Sequence, residues 1–131
     1  MNILTMNHFV LVAIGGAAGA SLRHLANMLA LRIAGGGFPW GTFFVNVAGS
    51  LAMGLFVGWL ARRAGGSSNE LRLLVATGFM GGFTTFSAFS LDAVTLWERG
   101  AQLPAFFYVV SSVVLAIGAL FAGLWLTRLL P

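Results

Sequence analysis

Between Gly81 and Ser90 the chain reads GGFTTFSAFS, which packs four hydroxyls (Thr84, Thr85, Ser87, Ser90) and three phenyl rings (Phe83, Phe86, Phe89) into ten residues. Hydroxyls donate hydrogen bonds without carrying charge, and a phenyl ring has a negative face but a positive edge. Phe86 and Phe89 are three apart and share a helix face, with Ser87 and Ser90 as a second stripe beside it. Rings presented edge-on with hydroxyls alongside would give an anion weak donors and no full charge to trap it, the compromise that conduction needs. A plainer reading competes. Ser and Thr in an apolar helix commonly bond the carbonyl one turn back, and on spacing alone the rings read as lipid-facing or packing groups.

The remaining polar groups in apolar surroundings are few: Arg23, Asn46, Thr77, Asp92, Ser111 and Ser112. Polar groups at membrane depth are functional candidates by default. Asn46 carries two amide donors, which suit either an anion or a neighbouring helix. Arg23 suits either the neutralisation of an entrance or snorkelling to the interface, and Asp92 either a cap or an arginine partner. His8 and His24 have no partners at ligand spacing, cysteine is absent, and no catalytic constellation emerges.

The elements that must position these groups are membrane spans. Of 131 residues 59% are hydrophobic and 8% charged, against about 25% charged in an ordinary soluble domain. Ten charged residues cannot cover a body of this size with a water-compatible surface, so the solvent is lipid. The seven cations are all arginine and lie mostly at the ends of apolar runs, too sparse for nucleic acid. An apolar run ending in Ala18-Gly19-Ala20 imitates a signal peptide, but no basic segment precedes it and three more spans follow, so cleavage is not expected.

A bilayer core of about 30 Å takes roughly 20 helical residues, and on that ruler the chain predicts one transmembrane domain over 1–131. Its four spans are at about 7–31, 42–60, 71–96 and 104–130. Gly35-Gly36-Gly37-Phe38-Pro39-Trp40 enters the second span and Gly65-Gly66-Ser67-Ser68-Asn69 precedes the third. With four spans, Arg62, Arg63, Arg72 and Arg128 share one side with the termini, while Arg32 and Arg99 lie opposite and Arg23 is ambiguous. So weak a bias permits insertion in both orientations and pairing of opposites in an antiparallel dimer. Gly15 with Gly19 and Gly54 with Gly58 are spaced for close helix contact, within the chain or between chains.

The third span is expected to break near its middle. Gly81 and Gly82 are poor helix formers, two β-branched threonines follow, and the ten residues from Leu71 to Met80 span about 15 Å, which reaches the midplane. Non-helical backbone there must be buried in protein or line a wet cavity, and broken helices at that depth are a route to ion sites.

Three ordered motifs carry a resemblance over essentially the whole chain: Gly15-Gly16-Ala17-Ala18-Gly19-Ala20-Ser21-Leu22-Arg23, Gly41-Thr42-Phe43-Phe44-Val45-Asn46-Val47-Ala48-Gly49-Ser50, and the stretch from Thr77 to Ser90. The sequence resembles the small bacterial fluoride channels called Fluc or CrcB. That resemblance implies an all-α membrane protein of four transmembrane helices per subunit with a broken third helix. It further implies an antiparallel, dual-topology homodimer with two fluoride pores in the bacterial cytoplasmic (inner) membrane. The implied role is passive fluoride export that protects the cell, with lipid and fluoride as partners and no enzymatic activity. Phe86 and Phe89 match the phenylalanines whose edges contact fluoride, Asn46 the pore asparagine, and Thr85, Ser87 and Ser90 hydroxyl positions, some of which line the ion track. Gly81 and Thr84 match residues whose backbone carbonyls hold a structural sodium ion at the dimer centre, and Arg23 an arginine near the vestibule. Ala88 stands where the family commonly has threonine, and Ala119 where serine often follows glycine in the fourth helix, which leaves that helix's share of the pore open. The alternative is a small proton-coupled multidrug transporter of four spans, which needs a membrane carboxylate that only Asp92 could supply.

Overall fold

The computed structural model describes residues 3–63 and 69–129, so the predicted Gly65–Ser68 turn and Leu130 lie outside the described residues. The described residues are all helical and contain no strand. Helix α1 spans Ile3–Ala34 and α2 Trp40–Arg62. Residues 69–83 form α3, made of a turn at Asn69–Leu71, a π-helical stretch at Arg72–Met80 and a last α turn at Gly81–Phe83. Helix α4 is Phe86–Glu98 and α5 Gln102–Leu129. Four segments are long and apolar enough to cross a membrane: Thr5–Ala34, Trp40–Arg62, Asn69–Glu98 and Gln102–Leu129.

The helix ends follow from local chemistry. Gly35 leaves α1 at φ 72°, and its N–H bonds the Leu31 carbonyl at 3.0 Å. Gly100 leaves α4 at φ 78°, with Gly100 N–H on Trp97 O and Ala101 N–H on Leu96 O, both 3.0 Å, the paired bonds of a Schellman motif. Arg62, in the last turn of α2, donates to the Thr127 carbonyl near the end of α5, and Arg63 lies 4.1 Å over the Trp59 ring.

The bundle is two tightly joined helix pairs, α1 with α3 and α2 with α5. Both joints are backbone against backbone. A methyl group at Gly15 would overlap the Leu74 carbonyl and one at Gly19 the Phe79 carbonyl; across the other pair, Gly54 meets Leu120 and Gly123 meets Leu51 and Leu55. Among lipid-solvated helices such close approach supplies the dispersion contact that apolar burial does not. The glycine pair Gly15 and Gly19 therefore serves packing within the chain. Phe89 and Leu96 of α4 cluster with Ala105 and Tyr108 of α5, against Phe38 and Phe43. Much apolar surface stays uncovered: only 11% of the most apolar window is buried in the first span and in the fourth.

The third span departs from the expected geometry in two ways. Its first half is wound as a nine-residue π-helix, far longer than the usual single-turn bulge. Gly81 and Gly82 remain helical, and the extended residues are Thr84 (φ −80°, ψ 158°) and Thr85 (φ −153°, ψ 118°). Glycine's weak helix propensity yields here to packing, because Gly82 is seated against the Gly16 backbone. The β-branched threonines accept the extended conformation readily.

Candidate functional site

An interrupted helix leaves backbone groups without partners, and each must be met elsewhere. Asn46 of α2 meets two of them. Its Nδ2 donates to the Thr85 carbonyl at 3.0 Å, and its Oδ1 accepts from the Thr85 N–H at 2.8 Å. The Thr85 hydroxyl then caps α4 by accepting from the Ala88 N–H at 3.2 Å, and lies 3.2 Å from the Ser87 hydroxyl. On the other side of the gap Thr84 closes α3, with both its N–H and its hydroxyl donating to the Met80 carbonyl at 2.9 Å.

These exchanges take the helical donors away from two carbonyls. In an unbroken helix Gly81 O would accept from Thr85 N–H and Thr84 O from Ala88 N–H, yet those donors are committed to Asn46 and to the Thr85 hydroxyl. Thr84 O accepts instead from the Arg23 guanidinium, at 3.4 Å. The Gly81 and Thr84 carbonyls fit a hard monovalent cation by donor type, since freed carbonyls beside a helix break coordinate such ions. Among the described residues no cluster of three or more His, Cys, Asp or Glu side chains could hold a metal.

A cavity of about 230 Å³ opens beside the interruption, lined by Asn46 and Ser50 of α2, Thr84 and Thr85, Phe86 and Phe89 of α4, and Ser112, Val113 and Ala116 of α5. The two rings differ in setting. Phe86 is 78% exposed and Phe89 8%, with centroids 5.5 Å apart and planes at 41°. Phe89 also rests on Tyr108, 5.3 Å between centroids. Ser112 is 4% exposed, and its buried hydroxyl has no hydrogen-bond partner among the described residues.

Of the residues singled out in the sequence, the cavity thus gathers Asn46, Thr84, Thr85, Phe86 and Phe89. Ser87 and Ser90 are not among its lining residues; Ser90 bonds the Phe86 carbonyl one turn back at 2.9 Å. Asp92 accepts from the Tyr108 hydroxyl at 3.3 Å. Ser50 and Tyr108 were not singled out. The signal was there in the spacing: Ser50 lies one turn beyond Asn46, and Tyr108 one turn before Ser112.

Comparison with known proteins gives this architecture a family. Residues 10–124 match the family model described as CrcB-like protein, Camphor Resistance (CrcB). The chain is similar to the fluoride-specific ion channel FluC of Mesorhizobium japonicum, 64% identical over 126 residues that cover 96% of this chain and all of the relative. It is also similar to the proteins of that name from Hyphomonas neptunium, 58% identical over 94% of this chain and 97% of the relative, and Chelativorans sp., 61% identical over 94% and 98%. A match spanning nearly the whole chain, with Arg23, Asn46 and the stretch from Gly81 to Ser90 inside it, settles the membership: the chain belongs to the CrcB family.

Proposed function

We propose that this chain forms a fluoride-selective channel that lets the anion leave the cell passively across the bacterial cytoplasmic membrane, and so protects against fluoride. The observation that carries the proposal is the cavity in which Asn46, Phe86, Phe89 and the unpartnered Ser112 hydroxyl meet; the names of the relatives supply the ion. Its donors are an amide, hydroxyls and ring edges, with no arginine among the lining residues. Asn46 Nδ2 spends one N–H on Thr85 and keeps a second to offer the anion. Phe86 and Phe89 turn positive edges toward it, and the hydroxyls of Thr85, Ser87 and Ser90 continue the track. Binding by neutral donors alone is weak enough for release. Arg23 is outside the cavity lining but bonds the carbonyl of Thr84, which lines it, and its charge raises the local anion concentration.

The working unit is a homodimer of two oppositely oriented copies with two pores. Supporting it are the balanced arginines, the weakly covered outer faces of the first and fourth spans, and Phe86, whose 78% exposure leaves its ring for a second copy. The interruption at Thr84 and Thr85 lies near the bilayer midplane. There the Gly81 and Thr84 carbonyls of each copy would hold a structural sodium ion, which when bound would neutralise the carbonyl ends of two half-helices.

Liposomes loaded with potassium fluoride and containing the purified protein test the proposal. On addition of a potassium ionophore they should empty rapidly, and liposomes loaded with potassium chloride much more slowly. No protein-dependent fluoride release overturns the channel reading, and equal rates for the two anions overturn its selectivity.

A further inference from the structure

We propose that Arg23 is a built-in cation for the end of α3: it holds the Thr84 carbonyl from within the chain, so that the interruption is electrostatically balanced before any metal binds and a metal on the same carbonyl is held less tightly. The observation is the 3.4 Å bond from the Arg23 guanidinium to Thr84 O, across 61 residues of sequence. Its register is built into the packing. Gly15, Gly19 and Arg23 recur at intervals of four on one face of α1. Gly15 is pressed on the backbone at Leu74, Gly78 and Phe79, and Gly19 on Phe79 and Phe83. The next turn of that contact brings Arg23 to Thr84.

The physical reason is the charge at the helix end. The last carbonyls of α3 carry partial negative charge and are short of donors, and the Thr84 carbonyl at its C-cap has lost its helical donor, since the Ala88 N–H goes to the Thr85 hydroxyl. A guanidinium carries a delocalised positive charge and several donors that answer that charge, as arginines near helix C-termini commonly do. Two cations sharing the Thr84 oxygen repel each other, so removing the guanidinium frees the carbonyl and tightens the metal. The inference about the metal rests on the sodium reading above; the inference about the interruption does not.

The experiment uses the full-length protein in detergent, as wild type, Arg23→Gln and Arg23→Lys. Thermal unfolding is followed in sodium chloride titrated against N-methylglucamine chloride, and hydrogen exchange is measured over the segment 84–90. Arg23→Gln should reach half-maximal stabilisation at about tenfold lower sodium, the size expected for lifting a nearby like charge at intermediate dielectric. In sodium-free buffer the same variant should exchange its 84–90 amides about tenfold faster. Arg23→Lys keeps the charge and should stay within about twofold of wild type in sodium midpoint. Unchanged midpoint and exchange in Arg23→Gln overturn the proposal, as does an Arg23→Lys protein that behaves like Arg23→Gln. If sodium stabilises none of the three proteins, the sodium reading falls and the exchange decides for Arg23: acceleration sustains the built-in cation and its absence overturns it.

Discussion

The Asn46 carboxamide pairs with the backbone of Thr85 as one strand pairs with another, giving a donor to its carbonyl at 3.0 Å and an acceptor to its N–H at 2.8 Å. One side chain of α2 thereby replaces hydrogen bonds that the interrupted helix cannot make. Asn46 also lines the cavity, and its amide has a second N–H beyond the one given to Thr85, so the proposed ion contact would be a second duty. Bonding the backbone and contacting an anion are therefore compatible roles of one residue.

The two duties separate by substitution. Asn46→Ala strands the Thr85 N–H and carbonyl, at about 1 to 3 kcal/mol for each buried group left unmet, so thermal stability and fluoride efflux should both fall sharply. Asn46→Asp still accepts from Thr85 N–H but cannot donate to its carbonyl, and it sets a negative charge at the cavity. Its melting temperature should lie between those of wild type and Asn46→Ala, with fluoride efflux abolished. Efflux from Asn46→Asp near the wild-type rate would remove Asn46 from the ion path.

Phe86 and Phe89 should fail differently. Phe89 is 8% exposed and rests on Tyr108, so Phe89→Ile forfeits aromatic contact of about 0.5 to 1.5 kcal/mol as well as fluoride efflux. Phe86 is 78% exposed within the single chain, so Phe86→Ile should cost the subunit's own fold less than Phe89→Ile does, with a smaller fall in melting temperature, while efflux drops at least about tenfold. Cells dependent on either variant should become sensitive to fluoride. Full resistance with both rings replaced would return them to a packing role.

What was legible in the sequence was whatever composition and short spacing encode. Low charge and four apolar runs gave the all-helical membrane class, and the density of hydroxyls and rings from Thr84 to Ser90 pointed to the segment beside the cavity. The partners of those groups were not legible, because they are set by the register between helices. Nothing in the spacing of Asn46 says that it meets Thr85, 39 residues away, or that Arg23 meets Thr84. The π-helical winding of Arg72–Met80 has no signature in its apolar pattern. Propensity offered both Gly81-Gly82 and the β-branched threonines after them; the packing of Gly82 on Gly16 keeps the glycines helical, and the extended residues are the threonines.

Ser112 offers a trade between stability and function. Its hydroxyl is buried and unpartnered at the cavity wall, a condition that costs about 1 to 3 kcal/mol and that a moving anion would relieve. Ser112→Ala removes the unmet group at little cost in volume. Its melting temperature should equal or exceed that of wild type, while fluoride efflux slows about tenfold or more. A protein made more stable with undiminished efflux would show that this α5 hydroxyl takes no part in conduction.

The joints between helices give the sharpest contrast, because two glycines on one helix predict opposite outcomes. Gly123 faces α2, where an added methyl would collide with the Leu51 carbonyl and the Leu55 N–H, both backbone. Gly118 lies five residues earlier, and among the described residues nothing is within 4 Å of an added methyl there. Backbone cannot swing aside as a side chain does, so Gly123→Ala must push α2 and α5 apart, at a cost at or above the usual 1 to 3 kcal/mol of overpacking. The separation would also loosen the bond from Arg62 to Thr127 at the end of the same joint. Gly118→Ala should be neutral or slightly stabilising, since alanine is about 1 kcal/mol the better helix former in water. Size-exclusion profiles and melting curves of the two variants in one detergent would check this: Gly123→Ala should aggregate or melt well below wild type and Gly118→Ala should not. Equal behaviour of the pair would mean that the close approach of α2 and α5 does not hold this bundle together.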